Sequence, residues 1–439
     1  MAYQYSLDKL KRVSEIETAK DIKQLSHAQF PGTHCALFGV ALTAGYVKGL
    51  YTLVAGTDEC TYYTKSFNIE RKNSDASMED NFLSFAVNQD DVVFGCHDKI
   101  VAAVIKIDQK YSPKAILLAT TCILELIGED IDAILYSLRG KVKAKILVVR
   151  TEHFKCNNHI PGIERTLEAF IGLMEKRPVA EGTINILGHR YDGVEDTELV
   201  KILTGKGIVI NQVLPSSCSI DSVRSAPAAA LNIVSDFTAL PLAAKMEEQF
   251  GTPYVYFDKY LSLKRIERGY REIAGKLGIT LDEEIKTLAE KAIKMQQGYY
   301  PLFKGKKFLY ANTPLLAFEF SGYLAGIGME PVLIQARDLY ANDDVYLKEI
   351  IATGNNPYVS RIANIAPLQT LYDELKPNVY IGHENPMVLI KKGIIQVVLD
   401  SVAKKLGFEV PMLVMKAIAD SIKKYEFMAK EVHHKHAAL

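Results

Sequence analysis

The stretch AILLATTCILELIGEDIDAIL, residues 115–135, changes its period at the middle. Residues 115–121 form a short apolar run with threonines at its end, the pattern of a strand buried on both faces. From Cys122 onward the apolar residues recur at helical spacing, so Cys122 closes a strand and opens a helix. The same alternation repeats along the chain. Apolar runs occur at KILVVRT (145–151), TINILGH (183–189), GIVINQVLP (207–215), PYVYFD (253–258) and KFLYAN (307–312). Further runs are PVLIQA (331–336), NVYIGH (378–383) and IIQVVLD (394–400). Amphipathic stretches such as DTELVKILTGKG (196–207) and DEEIKTLAEKAIKMQQ (282–297) lie between them. Strands alternating with helices predict an α/β fold: parallel sheets flanked by helices, joined by right-handed crossovers.

At about 150 residues per domain, 439 residues correspond to roughly three domains. KRPVAEG (176–182) and PLFKGKK (301–307) each precede a new strand. They divide the chain into three Rossmann-like domains at 1–178, 179–303 and 304–439. The first carries the cysteine motifs discussed below. The last ends in helices from Lys404 and a tail, HHKHAAL.

Hydrophobic residues make up 48% and charged residues 24%, which excludes a disordered or collagenous chain. Fifty-two basic residues balance 52 acidic ones, so no global charge favours nucleic acid or an anionic membrane. No apolar leader opens the chain and no uninterrupted apolar span crosses a bilayer, so a cytoplasmic protein is expected. Six cysteines are too few for a disulfide framework in a chain this long; they are thiols, metal ligands or redox groups. Neither the Gly-x-Gly-x-x-Gly loop nor the Walker phosphate loop is present, which argues against NAD binding or ATP hydrolysis by this chain.

Three cysteines stand in deliberate-looking settings. Cys35 lies in PGTHCALFG, Cys60 in AGTDECTYYTK, and Cys122 at the strand–helix junction. In open parallel sheets, sites form at the carboxyl ends of strands. A thiol at a helix N-terminus is favoured as thiolate, the form iron–sulfur clusters require. A lone cysteine is more simply a buried core residue. Three in such flanks point to ligands.

These flanks resemble component 1 of nitrogenase and its relatives. The matching residues are Pro31-Gly32-Thr33-His34-Cys35, Gly56-Thr57-Asp58-Glu59-Cys60, and Thr120-Thr121-Cys122 with Ile127-Gly128-Glu129-Asp130. VVFGCHDKI (92–100) resembles the family's Val-Phe-Gly-Gly segment, with Cys96 in place of the second glycine. MEEQFGTPYVYFD resembles its second domain, and KKFLYANTP and KPNVYIGHENP its third. The resemblance implies an oxidoreductase subunit of a two-component system. A homodimeric ATP-dependent iron–sulfur reductase would deliver the electrons. Cys35, Cys60 and Cys122 would hold an iron–sulfur cluster at a subunit interface, either 4Fe-4S or P-cluster-like 8Fe-7S. A cubane takes four ligands and three are offered, so a homologous subunit, identical or paralogous, is expected to complete the site.

The chain departs from nitrogenase proper where that family holds its molybdenum–iron cofactor. The cofactor cysteine would fall near Ser235-Asp236, and no histidine occurs in LDSVAKKLGF (399–408). Dinitrogen reduction is not expected of this chain alone. Ala55-Gly56-Thr57 also replaces the family's His-Gly-Pro. Three relatives fit these departures: a tetrapyrrole reductase, a non-catalytic scaffold for cofactor assembly, and a β-type partner subunit. CTYYTKSFNIE (60–70) looks more like β-type chains.

Other residues are weaker candidates. Cys156 and His159, in a loop that borders the family's cavity, are candidate cavity residues and stand three apart, as a metal pair would. A polar loop capping the next helix is the competing reading. Cys96 and His97, read as extended, would point to opposite sides. Cys218 reads as a small residue in a tight loop, and His383 as an exposed loop residue. Tyr62, Tyr63 and Lys65 read as packing residues, and His433, His434 and His436 as a solvated tail.

Overall fold

The computed structural model describes residues 7–25, 35–68, 81–156, 158–311, 315–361 and 365–437. Every apolar run quoted above forms a strand, and the strands assemble into three parallel sheets flanked by helices. The first sheet has the order Phe82–Ala86, Leu50–Gly56, Ala115–Thr120, Lys145–Arg150. The central strand Ala115–Thr120 is buried at every residue, which is why its sequence is an unbroken apolar run. The second sheet runs Tyr254–Tyr256, Ala229–Val234, Ala180–His189, Val209–Pro215.

The third sheet centres on Lys307–Tyr310, flanked by Glu330–Ala336 and Val379–Ile381. Tyr358–Arg361 and Ile395–Val397 lie beyond them. Its far edge is completed from the other end of the chain. Lys11–Arg12 pairs antiparallel, and Lys23–Gln24 parallel, with Tyr358–Arg361. Val13, Ile16 and Ile22 are buried in the same core as Phe308, Ile334 and Val379. Residues 7–25 therefore pack on the third sheet although they precede the first in sequence.

The first two sheets share one core: Val54 and Leu117 belong to the same buried cluster as Leu187, Val234 and Met246. A two-stranded link, Val47–Lys48 with Cys218–Ser219, reinforces that junction. The amphipathic stretch expected to stop near Gln297 continues as Asp282–Phe303. Pro301 is tolerated in its last turn, and the helix packs against Glu409–Ala437. That C-terminal helix carries the backbone of the expected tail as far as Ala437, and the side chains of His433, His434 and His436 lie outside the description. No helix among the described residues is long and apolar enough to cross a membrane.

Candidate functional site

The three signature cysteines come from three separate elements at the carboxyl side of the first sheet. Cys35 is the N-cap of the helix Ala36–Ala44. Residues 31–34 of its motif lie outside the described residues. Cys60 sits in the first turn of Asp58–Asn68, and Cys122 opens Cys122–Ile127. All three are half-buried thiols, and no disulfide involves any of the six cysteines.

Backbone contacts bring the last two turns together. Thr121 donates both its amide and its hydroxyl to the carbonyl of Ala55, each at 3.0 Å. Gly56 lies directly beneath: a Cβ there would collide with the Thr121 side chain. The glycine before Cys60 is thus what lets the Thr-Thr-Cys turn close down on it. Thr57 donates its hydroxyl to Cys60 Sγ at 3.4 Å. Such a bond to a ligating sulfur is one lever that sets a cluster's potential.

Burial raises the pKa of Cys122 first, and the charges of Cys60, Cys35 and Glu125 raise it further. Cys60 and Cys35 are thus both within electrostatic reach of Cys122. A thiolate favoured by the helix end was expected at Cys122. Its backbone does lower the pKa, but burial and neighbouring sulfurs outweigh that.

Among the described residues, no three His, Cys, Asp or Glu side chains are close enough to hold a single metal ion. Two sulfurs on one zinc-sized ion stand at most roughly 4.6 Å apart. A cluster is different, because each thiolate binds its own iron and the ligands spread around a larger body. The all-sulfur donor set and its spread from three elements suit the cluster.

A glycine contact fastens Cys35 to the loop that carries His159. The helices Ala36–Ala44 and Ile160–Ala169 approach closely at two glycines. A Cβ on Gly39 would strike the His159 carbonyl, and one on Gly162 the Ala36 carbonyl. The Phe38 ring stands edge-on to the His159 imidazole at 5.5 Å.

The remaining candidates separate. His159 lines the cavity described below. Cys156 does not; its thiol donates to the Glu152 carbonyl at 3.4 Å, and Arg165 Nη1 reaches it at 3.8 Å. Cys96 and His97 are not extended. Gly95, at φ 81°, ends the helix Gln89–Phe94, and Cys96 caps His97–Tyr111. The Cys96 thiol donates to Glu129 at 3.3 Å, and burial with that carboxylate pushes its pKa up to about 12. His97 instead bonds Ser137 at 3.0 Å. Cys218 is buried, donates to the Pro215 carbonyl, and is likewise pushed by burial to about 12. His383 is exposed beside Asp400 at 2.8 Å. Tyr62 and Tyr63 are exposed on this chain and stack edge-to-face.

The loop of His159 was expected to border a cavity; Arg190, Lys259 and Arg337, which also line it, were not legible as site residues. A cavity of about 90 Å³ opens between the three sheets. Arg190, Asp236, Lys259 and Arg337 all line it, each just past a strand's carboxyl end. Lys259 pairs with Asp258 at 2.8 Å and with Asp236 at 3.3 Å; Arg190 also reaches Asp236 at 3.3 Å. Burial works against the Asp236 charge, but Lys259 and Arg190 hold its pKa well below the usual range. Glu319 and Asp343, on the same wall, are each raised by burial to about 7.

Comparison with known proteins accords with this layout. Residues 35–402 match the family described as Nitrogenase component 1 type Oxidoreductase. The chain is 26% identical over 341 residues to the Nitrogenase iron-molybdenum cofactor biosynthesis protein NifE of Clostridium pasteurianum, covering 74% of each chain. It is 25% identical over 277 residues to the NifE of Nostoc sp., covering 60% of this chain but 57% of that one. The Nitrogenase molybdenum-iron protein alpha chain of Methanosarcina barkeri is 26% identical over 303 residues, with 66% of this chain and 55% of the relative covered. The chain thus spans little more than half the length of the last two. Among solved structures, Nitrogenase Cp1 at pH 6.5 superposes with a TM-score of 0.75 over 93% of this chain and 96% of the other, at 15% identity. With a match running from the first signature cysteine past the last strand of the third sheet, this chain belongs to the nitrogenase component 1 type oxidoreductase family.

Proposed function

We propose that this chain is a subunit of a nitrogenase-like two-component reductase. Cys35, Cys60 and Cys122 hold an iron–sulfur cluster at the interface with a homologous subunit, and an ATP-dependent iron–sulfur reductase supplies the electrons. The observation that carries this reading is the approach of three thiols from distant elements at a half-buried position. The cluster supplies one-electron chemistry when bound. The chain's own part is to bury it partly, hold it from three sides and donate the Thr57 hydrogen bond. A small molecule or tetrapyrrole is the substrate class, bound between the three sheets at the strand ends, where the cavity of about 90 Å³ takes a small molecule or one arm of a larger one.

A surface near the cysteines supports docking. The helix Gln89–Phe94 packs against Cys122–Ile127. Together they expose Val93 (72%), Phe94 (84%) and Leu126 (70%). Large apolar side chains this exposed mark interaction surfaces. Phe94→Asp is expected to weaken reductase docking by roughly 30-fold, the effect of losing an aromatic anchor. The check is the dependence of electron-transfer rate on reductase concentration, with iron content measured alongside. An unchanged dependence would remove this surface from the proposal.

A specific observation favours a second reading, a non-catalytic scaffold for metal-cofactor assembly. Where a cofactor thiolate would be expected, Ser235 donates to the Leu187 carbonyl at 3.1 Å and Asp236 is locked in ion pairs. The NifE relatives are named as biosynthesis proteins. The purified complex with its ATPase partner separates the two. Catalytic turnover of a reducible substrate supports the reductase; stoichiometric release of a metal cofactor supports the scaffold.

A further inference from the structure

We propose that the junction between the second domain and the C-terminal helix is a pH-sensitive clasp, closed by Glu198 and Glu409 and loosened as the medium turns alkaline. Two helix starts meet there. Glu198 opens the helix Glu198–Gly205, and Glu409 opens the helix Glu409–Ala437. Amides at a helix start have no partner within their own helix. Here each carboxylate serves the other segment. The Glu198 amide donates to Glu409 Oε1 at 2.8 Å, and the Phe408 amide donates to Glu198 Oε1 at 2.7 Å. The Leu406 amide also donates to Glu409 Oε1, at 3.3 Å.

The clasp lies where one helix joins two cores. Leu406, Phe408 and Met412 are buried in the core of the second sheet, with Leu199 and Tyr270. Val410, Val414 and Ile418 of the same helix are buried in the core of the third sheet. The Tyr270 hydroxyl donates to Glu198 at 2.9 Å, and its ring stacks on Phe408 with centroids 5.9 Å apart. Gly407, at φ 98°, lets the chain pass: a Cβ there would meet the Tyr270 hydroxyl and the Glu198 carboxylate.

Charge makes the junction responsive. Tyr270 faces Glu198 from one helix and Glu409 from another. Lys405 stands 3.7 Å from Glu409, and Asp196, on the turn before Glu198, pairs with Lys201 at 3.3 Å. No basic side chain pairs with Glu198 among the described residues. Burial raises the Glu198 pKa to about 7 and repulsion by Glu409 adds to it; bonds from Tyr270 and from the Phe408 and Glu409 amides oppose this without prevailing. A protonated Glu198 still accepts through Oε1 and sets no charge beside Glu409. The closed form thus binds the proton more tightly than an open form at the ordinary 4.5. Its contribution is complete below that value and is lost as pH rises through about 7. The clasp requires no cluster and is independent of the redox reading.

The test is hydrogen exchange of the full chain, read by mass spectrometry over a pH series and corrected for the intrinsic exchange rate. Protection of the Glu198, Leu406 and Phe408 amides should fall about tenfold from pH 6 to pH 8, the ratio set by a closed value of about 7 and an open value of 4.5. Ala115–Thr120, at the centre of the first sheet, is the internal reference and should show no such fall. Glu198→Gln keeps the acceptor and carries no charge, so its protection should be equal at both pH values. Glu409→Gln removes the repulsion and should move the fall to lower pH; should Glu198→Gln not fold, this shift decides alone. Equal protection of the native clasp at pH 6 and pH 8 overturns the proposal, as does an equal fall at Ala115–Thr120. A fall that persists in Glu198→Gln, or one that keeps its native pH in Glu409→Gln, overturns it as well.

Discussion

Cys122→Ala is expected to strip the complex of its cluster: iron falls to background, the paramagnetic signal disappears, and reductase-driven turnover drops at least about 100-fold. Loss of an outer-shell partner alone typically costs a metal site about 10–100-fold, and a direct ligand is worth more. Folding should survive, because Cys122 is half-buried rather than part of a packed core. A stability loss within about 1 kcal/mol is the expectation for such a site. Cys218→Ala is the contrasting control. That thiol is buried and bonded to the Pro215 carbonyl, so its removal should lower stability and leave iron in place. Iron analysis and spectroscopy of both anaerobically purified variants decide the matter. A Cys122→Ala protein with full iron would remove the cysteine trio from the chemistry.

Gly162→Ala should produce the largest loss of stability from a single methyl group. The added carbon has nowhere to go: it meets the backbone of Ala36, and backbone does not rotate away as a side chain would. The helices Ala36–Ala44 and Ile160–Ala169 must separate. Overpacking of this kind costs about 3 kcal/mol, or a fall in melting temperature of roughly 3 °C for a chain of this length. Because Cys35 and His159 sit at the starts of these two helices, the damage should reach both functional regions. Lower iron occupancy is expected. Gly275→Ala is the matched control. It lies within the helix Leu263–Leu277, and a Cβ there meets nothing within 4 Å. That change should be neutral or raise stability by about 0.5–1 kcal/mol. Equal melting temperatures for the two variants would contradict the close-packing account.

The fold was readable where strands are buried on both faces. Ala115–Thr120 and Glu330–Ala336 announce themselves as apolar runs because helices cover both sides of their sheets. Four of the longer strands among the described residues escaped that reading. Phe82–Ala86 is an edge strand whose burial alternates. Tyr358–Arg361 has only four residues, one of them a buried arginine. Ala229–Val234 follows an alanine-rich stretch that reads equally well as helix, and Leu50–Gly56 is interrupted by Tyr51 and Thr52. The pairing of residues 11–12 and 23–24 with the third sheet was not legible at all. Two-residue strands carry no period, and their partner lies more than 330 residues away.

The sequence by itself determined the layered α/β architecture and singled out Cys35, Cys60 and Cys122. It could do so because buried parallel strands and cysteines in glycine-rich turns leave local marks. The tertiary structure decided how those parts act. It placed Cys60 and Cys35 near Cys122, whose pKa is raised by burial first and by their charges next. It also assembled Arg190, Asp236, Lys259, Arg337 and Tyr340 into a single polar cavity from strand ends far apart in the chain. Each of those five is an ordinary charged or aromatic residue when read alone. Only the fold, by bringing them together at strand ends, makes them one site.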